Sequence, residues 1–283
     1  MRKLLYFCYG LYLFLAVLGS SPSIAAGDVN KPYSIFIVPQ LAPVASYKAW
    51  TPVLKKLSEA TGLAFDLRVE SSIPDFERVL ATGEPDFAFM NPYHMIVAKR
   101  DKRYTPLLRD SKKMLEGMLV VRKDGEIKSL ADLNGKTLSF PAPNAFAASL
   151  LIRALLAKQN INITPSYVKT HSNVYRSVLL QDVSAGGGVN NTFQREPDDV
   201  RDQLQILYVT PPTAPHPLAA SSTISEAVRA KVISAFIKLA TDPANAELFD
   251  AIQMPMPVPA DYVRDYQSLE ALGLDKFAVT GSD

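Results

Sequence analysis

Asn91, Tyr93 and His94 follow a short apolar run, Phe87 to Met90, and put an amide, a phenol and an imidazole within four residues. A run of that length and aromatic content reads as a buried strand, and Pro92 ends it, because proline cannot donate to a central ladder. The strand delivers a polar loop. In open α/β sheets ligands bind at the carboxyl ends of strands, so these groups are candidates for a ligand cleft. A second candidate is Pro141-Ala-Pro-Asn144, ahead of a nearly all-apolar helix from Ala145 to about Lys158. With Asn144 as N-cap, the N–H groups of Ala145, Phe146 and Ala147 have no helical acceptor, and such donors attract anions. Plain capping explains the same residues equally well. Tyr47 and Tyr93 suit an anion through their hydroxyls, or pack beside Trp50 with their polar ends wet.

The chain has three histidines, His94, His171 and His216, all at loop or crossover positions by their surroundings. Three imidazoles brought together would suit a metal, but no H-x-x-x-H spacing or carboxylate pairing supports one. No metal and no cofactor is expected. Gly186-Gly187-Gly188 either lets a ligand approach the backbone or turns the chain between elements, and it lacks the lysine and hydroxyl residue of a P-loop. There is no G-x-S-x-G, no H-E-x-x-H and no Gly-rich dinucleotide fingerprint. Glu70, Asp75 and Asp86 have helix-cap or surface explanations. No catalytic residue is therefore nominated, and the chain is not expected to be an enzyme.

Patterns around these groups define the elements that must hold them. Ser34 to Val38 reads as a strand, followed by a helical pattern at Trp50, Val53, Leu54 and Leu57, with Thr51 as N-cap, Pro52 as first residue and Gly62 as stop. Ala64 to Val69, a helix around Asp75 to Ala81, and the Phe87 strand complete a β-α-β-α-β order. That order argues for a parallel, helix-covered sheet. A second α/β unit is expected after Leu115 to Val121, with strands at Thr137 to Phe140 and Tyr167 to Lys169, a helix carrying Val174, Val178 and Leu179 with Ser172 as its cap, and a strand at Leu204 to Val209. Pro211, Pro212, Pro215 and Pro217 mark a stiff crossover back to the first unit, where Thr223-Ile-Ser-Glu226 resembles a capping box.

Arg2 and Lys3 precede an apolar run from Leu4 to Leu18 and a small, polar stretch to Ala26. This is the form of a cleavable secretory signal peptide over residues 1–26, whose apolar run is shorter than the roughly 20 residues of a membrane span. The one cysteine, Cys8, lies within it, so the mature chain has no thiol for disulfides, metal ligation or nucleophilic attack. With 48% hydrophobic and 20% charged residues and a formal net charge of +2, the composition is that of a globular protein with no case for nucleic acid.

Phe76-Glu-Arg-Val-Leu80, Gly83, Asp86-Phe-Ala-Phe-Met-Asn-Pro-Tyr-His94, Ser139-Phe-Pro141 and Thr170-His171 with Val174-Tyr-Arg176 together resemble the phosphate/phosphite/phosphonate-binding periplasmic proteins of ABC transporters. The resemblance covers nearly the whole mature chain. It implies a type II periplasmic binding protein, with two α/β lobes joined by two crossover segments and a ligand cleft between them. Lobe 1 would comprise residues 27–121 and 213–283, and lobe 2 residues 122–212. It implies a monomer in the periplasm that closes by a hinge over a small oxyanion and delivers it to membrane permease subunits. It puts ligand contacts on Tyr47, Tyr93, the helix start after Pro143 and His171; with the polar groups read from the residues themselves, the candidate ligand-binding set is Tyr47, Asn91, Tyr93, His94, Asn144, Ala145, Phe146 and His171. A periplasmic sensor serving a membrane receptor is the alternative, and a secreted hydrolase or transferase a third. The sequence departs from the phosphonate binders at Asn144 to Ala148, where they carry a Ser/Thr-rich turn, and at Ser184, where an acidic residue often precedes Ala-Gly. Hydroxyl donors and a partner for a ligand amino group are thus absent at those positions, which leaves the ligand's identity open.

Overall fold

The structure is a computed structural model that describes residues 31–101 and 103–279. The expected signal peptide and Cys8 lie outside the described residues. The elements in chain order are β1 (Tyr33–Ile37), α1 (Pro43–Thr61), β2 (Phe65–Val69), α2 (Ile73–Thr82), β3 (Phe87–Phe89), α3 (Pro92–Arg100), β4 (Tyr104–Asp110) and β5 (Gly117–Arg122). There follow β6 (Thr137–Phe140), a wide π-type turn (Phe146–Leu150), α4 (Leu151–Lys158), β7 (Thr164–Tyr167), α5 (His171–Leu179), β8 (Ala185–Val189), α6 (Asn190–Phe193), α7 (Asp198–Arg201) and β9 (Leu204–Val209). The chain then forms β10 (Leu218–Ser221), α8 (Glu226–Ala240), α9 (Ala246–Ala251) and β11 (Pro257–Pro259).

These strands make two sheets, one of six strands in the order β11-β4-β10-β3-β1-β2 and one of five in the order β7-β6-β8-β5-β9. Within each, only the strands linked by helices run parallel: β2-β1-β3 in the first and β7-β6-β8 in the second. The expected parallel sheet is thus mixed. β10 and β11 enter the first sheet antiparallel, as β5 and β9 enter the second, because crossovers or direct returns bring them in. β5 pairs with β8 and β9, so the chain changes sheet at residues 111–116, ahead of the expected 121/122 boundary. It changes back at residues 210–217. The two crossovers bond to each other where Leu115 and Thr213 exchange N–H···O bonds of 2.9 Å.

Helix starts depart from the sequence expectations for local reasons. α1 begins at Pro43, nine residues before Pro52, which the helix accommodates in its interior at the loss of one backbone donor. Thr170, not Ser172, caps α5 by accepting from the Asn173 N–H, while Ser172 bonds Glu196. Ser225, not Thr223, caps α8. The residues after β3 form no loop: Asn91 is the N-cap of α3, accepting the His94 N–H at 2.8 Å, and Pro92 takes the first helical position, where its missing N–H costs nothing.

Gly186-Gly187-Gly188 is neither a turn nor a ligand-facing loop but the middle of β8. A Cβ at Gly187 would stand 2.1 Å from the Ala148 carbonyl oxygen and 2.5 Å from the Phe140 ring, and at Gly188 2.2 Å from the Tyr175 hydroxyl oxygen. Gly117 in β5 meets the Ala147 carbonyl oxygen in the same way, at 2.1 Å. The glycines let the turn at Phe146–Leu150 lie directly on the second sheet. That contact fixes where the helix start points.

Candidate functional site

The apolar core of the first lobe continues into the second through Ala142, Ala145, Phe146, Ala147 and Ala148, all buried against it. The helix start of lobe 2 therefore faces the carboxyl end of β3 in lobe 1. Polar groups from both lobes collect here. Asn91 Nδ2 donates to the Asn144 carbonyl oxygen at 3.1 Å, and Asn144 Nδ2 donates to Glu77 Oε2 at 3.1 Å. The other Glu77 oxygen lies 2.8 Å from His94 Nε2.

Asn144 does not cap the following helix. Its side-chain amide pairs instead with the Val279 peptide, donating to the Val279 carbonyl and accepting its N–H, both at 2.9 Å. Sequence gave no sign of a partner 135 residues away. Without that cap, the wide turn leaves its donors free. The Ala145 carbonyl accepts from both Ser149 and Leu150, while the N–H groups of Phe146, Ala147 and Ala148 have no acceptor among the described residues. All three residues are buried. Free, aligned N–H groups at a helix start carry partial positive charge and solvate an anion well. Arg153, whose burial lowers its pKa, supports the turn from behind by donating to Ser149 Oγ at 3.1 Å and to the Pro143 carbonyl at 2.6 Å.

His171 opens α5 on the same lobe and is buried, with no hydrogen-bond partner at Nδ1 among the described residues. Burial alone pushes its pKa down to about 4, so it is a neutral imidazole at pH 7. His216, in the second crossover, is pushed down to about 3, chiefly by burial. Among the described residues no group of three or more His, Cys, Asp or Glu is arranged to hold a metal.

The remaining nominated residues take different positions. Tyr93 is buried, and its hydroxyl donates to Asp275 Oδ1 at 3.0 Å, so it already has a protein partner; burial raises its pKa. Asp275 is also held by Arg100 at 3.0 Å. Tyr47 lies on α1, 40% exposed. Glu77, Gln40, Gln253 and His216 adjoin the site without having been nominated. Only His216 carried a signal, as one of three histidines. On the far side of the cleft Arg195 of lobe 2 donates to the Asp250 and Ala251 carbonyls at the end of α9, the latter at 3.0 Å. Desolvation lowers its pKa.

Comparison with known proteins gives one family, described as ABC transporter, phosphonate, periplasmic substrate-binding protein, matching residues 35–266. No curated protein sequence matches. Among solved structures, a binding component of a phosphonate ABC transporter from Pseudomonas aeruginosa superposes with a TM-score of 0.77 at 17% identity, over 87% of each chain. A Prochlorococcus marinus protein in complex with methylphosphonate gives a TM-score of 0.79 at 14% identity, over 88% of this chain and 99% of its own. A Xanthomonas citri protein bound to chloride gives 0.71 at 17% identity, over 87% and 98%.

Proposed function

Since the chain belongs to the family of periplasmic substrate-binding proteins of phosphonate ABC transporters, we propose that it binds a small oxyanion of the phosphate, phosphite or phosphonate class between its lobes and hands it to a membrane permease. The observation that supports this most is that, among the described residues, the N–H groups of Phe146, Ala147 and Ala148 and the Nδ1 of buried His171 have no hydrogen-bond partner. A buried donor left unpaired costs about 1–3 kcal/mol, and an oxyanion with several lone pairs supplies the missing acceptors. The hydroxyl-rich turn of related binders is replaced here by backbone. Asn144 to Ala148 needs no hydroxyl, because the π-type turn exposes N–H groups in its place.

Closure by a hinge at residues 111–116 and 210–217 brings Asn144 to Asn91 and Glu77, and Arg195 to the end of α9. These contacts carry the closed state. The chain itself performs no reaction in this reading, and the periplasm is where it meets both ligand and permease. Thermal shift of the ligand-stripped protein with phosphate, phosphite, methylphosphonate, sulfonates and small carboxylates, followed by calorimetry, tests it. A phosphorus oxyanion should raise the melting temperature and saturate one site. If none of the phosphorus oxyanions binds, the reading is wrong.

A further inference from the structure

The segment Leu274–Val279 is fixed to lobe 1 and reaches across to lobe 2. Leu274 is buried, the Phe277 and Ala278 N–H groups donate to its carbonyl at 2.9 and 3.1 Å, and Asp275 accepts from Tyr93 and Arg100 of α3. The end of the segment meets Asn144. There the Asn144 side chain pairs with the Val279 peptide as a neighbouring peptide would, Nδ2 donating to the carbonyl and Oδ1 accepting the N–H. The second Nδ2 hydrogen goes to Glu77 Oε2. That carboxylate fixes which way the amide faces, because the reversed orientation would set two oxygens against each other.

Asn144 stands two residues before Phe146 and three before Ala147, the spacing at which an asparagine oxygen caps a helix start by accepting its second or third N–H. The chain thus carries its own acceptor for donors that have none among the described residues. Turned toward the Val279 N–H, Oδ1 is unavailable to the turn. Both groups that hold the Asn144 amide, Val279 and Glu77, belong to lobe 1, so a hinge opening removes them together.

We propose that Leu274–Val279 is a clasp that keeps Asn144 from capping its own turn, so that the Phe146 and Ala147 N–H groups stay open to the oxyanion in the closed protein. When the lobes part, the released Oδ1 returns to those N–H groups and displaces the anion. Closure and binding then favour each other, because clasp and ligand both select the state in which the turn is uncapped. Asn144 and Val279 act here as positioning residues, through the turn. This rests on the reading of the turn as an oxyanion site.

Calorimetry at neutral pH with methylphosphonate, phosphite and phosphate, on the full chain, tests the clasp. Val279→Pro removes the N–H that holds Oδ1 and leaves Asn144 in place. Affinity should fall about 5- to 10-fold, the worth of one helix cap. Val279→Ala keeps both backbone bonds, and the side chain it shortens is 49% exposed, so it should bind within about twofold of the unaltered protein. In the Asn144→Ala background there is no cap to release, and Val279→Pro should change affinity less than about twofold. Full affinity in Val279→Pro overturns the proposal. So does an equal loss in Val279→Ala, which would make the side chain the cause, or a fall by the same factor with and without Asn144, which would bypass the amide. If the unaltered protein binds none of the three anions, the oxyanion reading fails and takes this inference with it.

Discussion

On the first-lobe wall of the cleft, Asn91, Tyr93 and His94 Nε2 are bonded to protein, through Asn144, Asp275 and Glu77, and His94 Nδ1 is left without a partner among the described residues. On the second-lobe wall, three backbone N–H groups and His171 Nδ1 have no partner among the described residues. The two walls use the same kinds of polar group with opposite economy. Tyr93 and His94 Nε2 are held from within lobe 1, by Asp275 and Glu77, and keep their place whether or not ligand is present. A wall that keeps buried donors free is stabilised only when something supplies acceptors. Under the proposed function, that difference would put most of the binding energy on lobe 2 and most of the template on lobe 1.

The strongest way to break this contrast is to disturb the seat of the free donors. Gly187→Ala would drive a Cβ to 2.1 Å from the Ala148 carbonyl oxygen, and neither that backbone nor Phe140 can withdraw without lifting the turn off the sheet. We expect a loss of about 3 kcal/mol or more in stability, read by urea unfolding, together with loss of ligand-induced stabilisation. A variant as stable as the unaltered protein would mean the turn is not held by the glycine strand.

Acid should weaken the second wall from within. His171 titrates near 4 in the folded protein and near 6.5 when unfolded. As pH falls below about 6.5 the unfolded chain takes up a proton that the folded one refuses, so stability declines from there until pH about 4, on the order of 3 kcal/mol for this residue. An oxyanion beside the imidazole favours its charged form, so bound ligand should offset part of that decline. Melting temperatures from pH 7.5 to 4.5, with and without methylphosphonate and in His171→Gln, measure both effects. If His171→Gln melts with the same pH dependence as the unaltered protein, the buried neutral imidazole is not its source.

His171→Ala should weaken oxyanion binding by about 10- to 100-fold at pH 7, the worth of one buried hydrogen bond to a charged group. Calorimetry is the measure. An affinity within a factor of two of the unaltered protein would shift the binding energy to the backbone donors alone.

The sequence made the order of strands and helices legible because each rests on local periodicity, and β3 with Asn91-Pro92 was readable as the end of a buried strand leading to polar groups. What local patterns do not carry is how distant segments meet. Strand direction in β5, β9, β10 and β11 depends on crossovers and returns, which have no periodicity. Asn144 has the composition of a cap, yet it is drawn off by Val279. Gly186 to Gly188 has the composition of a turn, yet its reason is the Ala148 carbonyl, Tyr175 and Phe140 arriving from other elements. Gln40 and His216 stand 176 residues apart, and nothing in either neighbourhood announces the other.

Tyr93 sharpens the contrast through a small effect. Its place in the first turn of α3, one residue before His94, made it a natural ligand contact by sequence, but its hydroxyl is committed to Asp275. Tyr93→Phe removes one hydrogen bond whose acceptor stays paired with Arg100 and is more than half exposed, so no buried group is orphaned. The expected cost is about 1 kcal/mol of stability, with oxyanion affinity changed less than about twofold. A drop in affinity of 10-fold or more, by calorimetry, would show that the phenol leaves Asp275 for the ligand. The first wall would then also hold a donor in reserve, and the division of labour between the lobes would fall.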